Sequence, residues 1–168
     1  MQNLETLYKK FVSDFSNLIK QQQLNNITFL CIGTSKVIGD SIGPIVGTIL
    51  KSKFEKSNSI EVLGDLDNNI HYQNLENYIN KKGTIIVIDS ALSSKENIGK
   101  IIIQKNALKY GEGLKKKSSN IGDISIKAVI ERNTNNKFIN FYKLKKTSNE
   151  TVKNLACIIS KGIIEVMN

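Results

Sequence analysis

Two aspartates, Asp40 in the turn GDSIGP and Asp89 at the end of the apolar run TIIVID, are the residues of this sequence best suited to do chemistry. A carboxylate with an apolar strand behind it is partly desolvated, which raises its pKa, and a second carboxylate nearby raises it further. Such a pair can share a proton and serve as general acid and base in hydrolysis, or can ligate a metal. His71, the single histidine, lies in IHYQNL and is of the type that shuttles protons near neutral pH. Each residue also has a plainer account. Asp is a favoured helix N-cap, so Asp40 could cap the helix after its turn, Asp89 could cap SALSSKEN, and His71 could simply pack and hydrogen-bond its neighbours.

For the two acids to act together, the chain must bring them to one edge of one sheet. ITFLCIG (Ile27–Gly33) is a short continuous apolar run bounded by NN and by glycine, as a strand buried on both faces should be. It feeds a loop punctuated by Gly33 and Gly39, after which Ile42, Ile45, Val46, Ile49, Leu50 and Phe54 take up helical spacing. Gly39, Gly43 and Gly47 lie four apart, a face without side chains that lets the helix approach a neighbouring backbone closely. SIEVLG (Ser59–Gly64) reads as a second strand, NLENYI (Asn74–Ile79) as a short helix and TIIVID (Thr84–Asp89) as a third strand, buried on both faces. That βαβαβ rhythm implies parallel strands with right-handed crossovers and helices on both faces. In such a sheet the C-terminal strand ends share one edge, where ligands bind.

Further strands are expected at Gly99–Gln104, Asp123–Ile130 and Lys137–Leu144. The N-terminal Leu4, Leu7, Phe11, Phe15, Leu18 and Ile19 form one face of a helix, and TSNE (Thr147–Glu150) is a capping-box pattern opening a closing helix. No linker, repeat or low-complexity tract divides the chain, so residues 1–168 are expected to form one domain. The candidate substrate-binding residues are those around the crevice: Gly33, Thr34, Ser35, Gly39 and Ser90, with Gly111 and Gly113 turning a loop over the same edge.

The net charge of +9, from 24 Lys and Arg against 15 Asp and Glu, raises the question of a polyanionic partner such as nucleic acid or a membrane surface. The lysines are mostly dispersed. The run Lys115–Lys117 and the looser cluster Lys143, Lys145 and Lys146 are not interleaved with aromatics as single-strand binders require, so a solvated basic surface is favoured over nucleic-acid binding. Cys31 and Cys157 sit in apolar runs without CxxC spacing, which fits buried free thiols in a reducing compartment. The N-terminus lacks the design of a signal peptide, and no apolar run approaches the roughly 18 residues that span a bilayer. A cytoplasmic protein without a membrane partner is the expectation.

The segments CIGTSKVIGDSIGPIVG, IHYQNLENYI, IIVIDSALSSKENIGKI and GEGLKKKSSNIGDISI, in this order and spacing, resemble the YyaC-type sporulation proteins, which are similar to the germination protease. The resemblance runs from about Ile27 to the C-terminal helix, and it implies a three-layer αβα fold of the phosphorylase/hydrolase-like kind, with a mostly parallel twisted sheet, shared with hydrogenase-maturation endopeptidases. It implies that Asp40 and Asp89 are a catalytic pair, with His71 at a matching position. It also implies a peptide or small spore protein as substrate and a forespore or spore-core location; homo-oligomerisation stays open. The chain departs from the family at Ser35, where Asp is common, and at Ser90, where Ala is common. The maturation endopeptidases bind metal through acids and a His downstream of the second acid, whereas His71 lies upstream of Asp89, so neither a metal nor another cofactor is expected. The competing reading is an inactive protease-like module that binds or regulates during spore formation. A phosphate site is disfavoured, because neither the GxGxxG nor the GxxxxGK[ST] spacing occurs and Asp40 would repel the anion.

Overall fold

The computed structural model describes residues 3–168 apart from 23, 25, 72, 79–81, 106, 107 and 111–118. The apolar periodicity of the N-terminus becomes α1 (Leu4–Lys20), whose Asn3 side chain accepts from the Glu5 backbone N–H and which buries Leu7, Phe11 and Phe15. β1 (Ile27–Cys31) is buried at every position and leads through a 3-10 turn, Ile38–Asp40, into α2 (Ile42–Phe54). β2 (Ile60–Leu63), a second 3-10 turn at Leu75–Asn77 and β3 (Thr84–Ser93) follow. The chain continues through β4 (Ile101–Gln104), a two-stranded hairpin of β5 (Leu108–Tyr110) and β6 (Ser119–Ile121), β7 (Ile124–Arg132), α3 (Lys137–Lys146) and α4 (Asn149–Met167).

The main sheet has the order β2-β1-β3-β7-β4, parallel throughout except for β4, which runs antiparallel to β7. This is an α/β fold with a mostly parallel sheet. Strand alternation sorts its side chains into two layers. Phe29, Cys31, Ile86, Ile88, Ile126 and Ala128 join the buried faces of α1, α2 and α4 in the larger core, whereas Leu30, Ile32, Ile85 and Val87 meet Ile70, Leu75 and Ile121 in a smaller one. NLENYI therefore contributes a single 3-10 turn where a short helix was expected, and short elements close that side of the sheet.

The glycine spacing has the consequence read from it at Gly43 and Gly47, whereas Gly39 lies in the 3-10 turn ahead of α2. A Cβ at Gly43 would stand 2.0 Å from the Ile32 carbonyl oxygen, and one at Gly47 would stand 1.8 Å from that of Gly64, so α2 lies directly on the strand exits. Gly47→Ala should cost about 2 kcal/mol, since backbone must move to admit the methyl group. A urea titration measures this, and an unchanged midpoint would mean that the contact relaxes freely.

Two local expectations are corrected. Lys137–Leu144 is not a strand but the body of α3, because Asn136 caps it: the Asn136 side-chain oxygen accepts from the backbone N–H groups of Phe138 at 2.9 Å and Ile139 at 3.2 Å. Lys143, Lys145 and Lys146 then fall at the helix C-terminus, where the macrodipole favours cations. The capping box of TSNE does not form either. Ser148 holds the N-cap position of α4 without a side-chain bond, and the Thr147 hydroxyl donates to the Lys143 carbonyl at 3.0 Å instead.

Candidate active site

β1 is shorter than its neighbour β3, and that difference makes the site. The ladder between them ends at Cys31 opposite Ile88, with Ile32 N–H still donating to the Ile88 carbonyl at 2.8 Å. Asp89 is the next residue of β3. It is thus not at the end of its strand, as the sequence suggested, because β3 continues against β7 to Ser93, with a register shift between Ala91 and Leu92. It stands instead at the step where β3 outruns β1, so its flank is open to the loop that β1 feeds.

That loop folds back over the step. Gly33 has a φ of +139°, and its N–H donates to the Ile70 carbonyl at 2.8 Å, tying the exit of β1 to the chain just before His71. A Cβ there would lie 2.0 Å from the Asp40 carbonyl oxygen, so only glycine permits the approach. Thr34 N–H then donates both to that carbonyl at 3.1 Å and to the Asp40 side-chain Oδ2 at 2.9 Å. The other carboxylate oxygen, Oδ1, accepts from the Ser90 hydroxyl at 3.4 Å. Asp40 does not cap α2. Ser41 occupies that position, and the Asp40 carboxyl reaches back to the loop and across to β3.

Burial pushes the Asp40 carboxyl up to about 6, although the Thr34 N–H, the Ser90 hydroxyl and the charge of His71 each work against that rise. Asp89 is pushed further, to about 8, first by burial and then by the negative charge of Asp40; the Ser90 backbone N–H and the Lys127 ammonium oppose the shift only partly. The charge of Asp40 therefore reaches Asp89. His71 is half-buried, its backbone N–H donates to the Asn74 side chain at 2.8 Å, and its Nδ1 accepts from the Gln73 N–H at 3.3 Å.

The remaining candidates divide by place. Ser35 is exposed on the loop, where its N–H and hydroxyl donate to the Asn69 side-chain oxygen at 2.9 and 3.0 Å. Gly39 is buried beneath α3, where a Cβ would stand 2.7 Å from the Thr147 hydroxyl and 2.8 Å from the Leu144 carbonyl. Gly111 and Gly113 lie outside the described residues. Among the described residues, no group of three or more His, Cys, Asp and Glu side chains could hold a metal ion.

Two residues belong to this region that sequence reasoning missed. Lys127 lies opposite Asp89 in the β3–β7 register, with its Nζ donating to the Gln104 side chain at 3.2 Å. Its signal was legible, a lone cation in the mostly apolar stretch ISIKAVI. Asn69 gathers the Thr34 and Ser35 donors on one oxygen, while its amide nitrogen donates to the Asp65 carbonyl at 2.7 Å. Asp65 anchors that support through an ion pair of 2.6 Å with Lys51. Burial works against its charge, but Lys51 and the N–H groups of Asn68 and Asp67 prevail and hold its carboxyl below the usual range. Asn69→Ala should lower stability by about 1 kcal/mol, because it takes the shared acceptor from the part-buried Thr34 hydroxyl and the exposed Ser35 donors. Thermal melting of the variant tests this; a loss near zero would show that water replaces the amide.

These features define an α/β protein with two carboxyl groups of raised pKa beside a step at the C-terminal edge of a mostly parallel sheet. The chain belongs to the family described as "Protein of unknown function (DUF1256)", whose model matches residues 1–162. It is 28% identical over 161 residues to a Bacillus subtilis (strain 168) protein described as "Uncharacterized protein YyaC", covering 92% of this chain and 76% of that one. Among solved structures it is similar to a [NiFe] hydrogenase maturation protease, HycI, from Thermococcus kodakarensis KOD1. That similarity has a TM-score of 0.48 and 16% sequence identity, and covers 85% of this chain and 95% of that one.

Proposed function

We propose that the protein is a sporulation-associated peptide-bond hydrolase of the germination-protease type, with Asp40 and Asp89 as its acid–base pair and a peptide or small spore protein as its substrate. What supports this reading is that Asp89 stands at the step beyond β1, within reach of the negative charge of Asp40, which raises its pKa. Different environments give the two acids different protonation states at neutral pH, which is what acid–base division requires.

Near pH 7 Asp40 is mostly ionised and Asp89 mostly protonated. In the proposed reaction Asp40 removes a proton from a water molecule, the hydroxyl adds to the peptide carbonyl carbon, and Asp89 donates its proton as the amine leaves. The Thr34 N–H holds Asp40 in register. Gly33, Thr34, Ser35 and Ser90 border the space in which an extended backbone would lie.

Cleavage of a peptide library should therefore follow a bell-shaped pH profile, rising through about 6 as Asp40 ionises and falling through about 8 as Asp89 loses its proton. Absence of cleavage across that range would sink the peptidase reading and leave the binding or regulatory module. A monotonic profile would remove Asp89 as the acid.

A further inference from the structure

We propose that α3 is a docking helix that lays its aromatic face on an anionic lipid bilayer. The helix turns a face of aromatic side chains and lysines to water. Asn140 faces the protein, where it accepts from Thr134 N–H at 2.9 Å and from the Thr134 hydroxyl at 2.7 Å, and donates to the Asn133 side chain at 2.8 Å. Lys143, half-buried, pairs with Glu131 at 3.1 Å. Four of its apolar residues face water, Phe138 87% exposed, Tyr142 62%, Phe141 49% and Ile139 47%, while Leu144 packs on the core. Other exposed large apolar side chains, Leu4, Ile49, Leu66 and Ile98, are scattered singly over the rest of the chain. A contiguous aromatic cluster on one helix marks a contact surface.

Charge identifies the occupant. From Arg132 to Asn149 there is no acidic residue, while Arg132, Lys137, Lys143, Lys145 and Lys146 all lie in that interval. A second copy of the same face would set lysines against lysines, so the complement is anionic. Between anionic partners, the composition favours a bilayer over a protein. Lysine is depleted in protein interfaces, whereas aromatic rings flanked by lysines are the pattern of helices lying in the headgroup region. A single-stranded nucleic acid needs open ring faces for stacking. Here the ammonium of Lys145 lies over the Phe141 ring at 4.7 Å and that of Lys146 over the Tyr142 ring at 5.9 Å. The lysine cluster is thus interleaved with aromatics after all, once the segment is helical rather than extended. No helix among the described residues is long and apolar enough to cross a membrane, and an interfacial helix needs no span.

The test is co-sedimentation of the full chain with vesicles of phosphatidylcholine alone and of phosphatidylcholine containing phosphatidylglycerol. Binding is expected only to the anionic vesicles, weakened about tenfold by Phe138→Ser and by Tyr142→Ser, each of which withdraws one ring from the apolar phase. Raising salt to 0.5 M should release most of the bound protein, because the Debye length falls to about 4 Å and the attraction of the lysines to anionic headgroups is screened. Because both rings are exposed, the variants should melt with the parent, which separates lost docking from lost fold. The proposal is overturned by absence of binding, or by binding that both serine variants retain, since lysines alone would then explain it. It is equally overturned if the serine variants instead abolish self-association, or abolish binding to polyglutamate or to an oligonucleotide, while vesicle binding is unchanged.

Discussion

Asp40→Asn is expected to lower peptide cleavage by about 10²–10⁴-fold while leaving the fold in place. The amide can repeat the contacts of the carboxylate. Its oxygen can accept from the Thr34 N–H, which now lies 2.9 Å from Oδ2, and its nitrogen can donate to the Ser90 hydroxyl, which now lies 3.4 Å from Oδ1. What it cannot do is take a proton from water. The substitution thus separates position from basicity, and its effect should appear in kcat rather than in KM. Thermal melting should place the variant within about 1 kcal/mol of the parent, as for a substitution that keeps its hydrogen bonds. An Asn variant that cleaves as well as the parent would show that Asp40 merely holds the loop closed. Comparison of cleavage and melting in the two proteins decides between these outcomes.

The elements around that carboxylate were largely legible in the sequence. Continuous apolar runs announced β1 and β3, the helical period announced α1, α2 and α4, and the glycines four apart announced the contact of α2 with the strand exits. What escaped was set by relations between segments. Asp89 read as a strand end because the apolar run stops there, yet β3 continues through SALS by pairing with β7, whose extra length could not be seen from β3 alone. The same blindness hid Lys127, whose place beside Asp89 is a matter of register. KFINFYKL carries the aromatic and β-branched residues of a strand, and only the preceding Asn136 marks it as a helix. A propensity spread over eight residues lost to one cap and to the packing of Leu144 and Thr147 over Gly39. The Asn69 clamp was not foreseeable, because its partners are donors contributed by a loop from another part of the chain.

Asp89→Asn should change the pH dependence of stability as strongly as it changes activity. Asp89 has a pKa of about 8 in the folded protein, raised by burial and by the charge of Asp40, against about 3.9 in the unfolded chain. Below about pH 4 both states hold the proton, and the stability that depends on it is fully present. Between about pH 4 and pH 8 the unfolded chain has released its proton while the folded protein retains it, so each rise in pH favours unfolding. Above about 8 both states are ionised, and the loss is complete. It should amount to about 3 kcal/mol, less than a fully enclosed carboxyl would give, since the residue keeps some contact with water. Asparagine has no proton to release and imposes no repulsion on Asp40, so the variant should melt with a flatter pH profile. At pH 4 parent and variant should nearly coincide; at pH 9 the variant should be the more stable. Parallel melting curves from pH 4 to 9 would mean that Asp89 titrates as an ordinary exposed carboxylate, and the acid role proposed for it would fall with them.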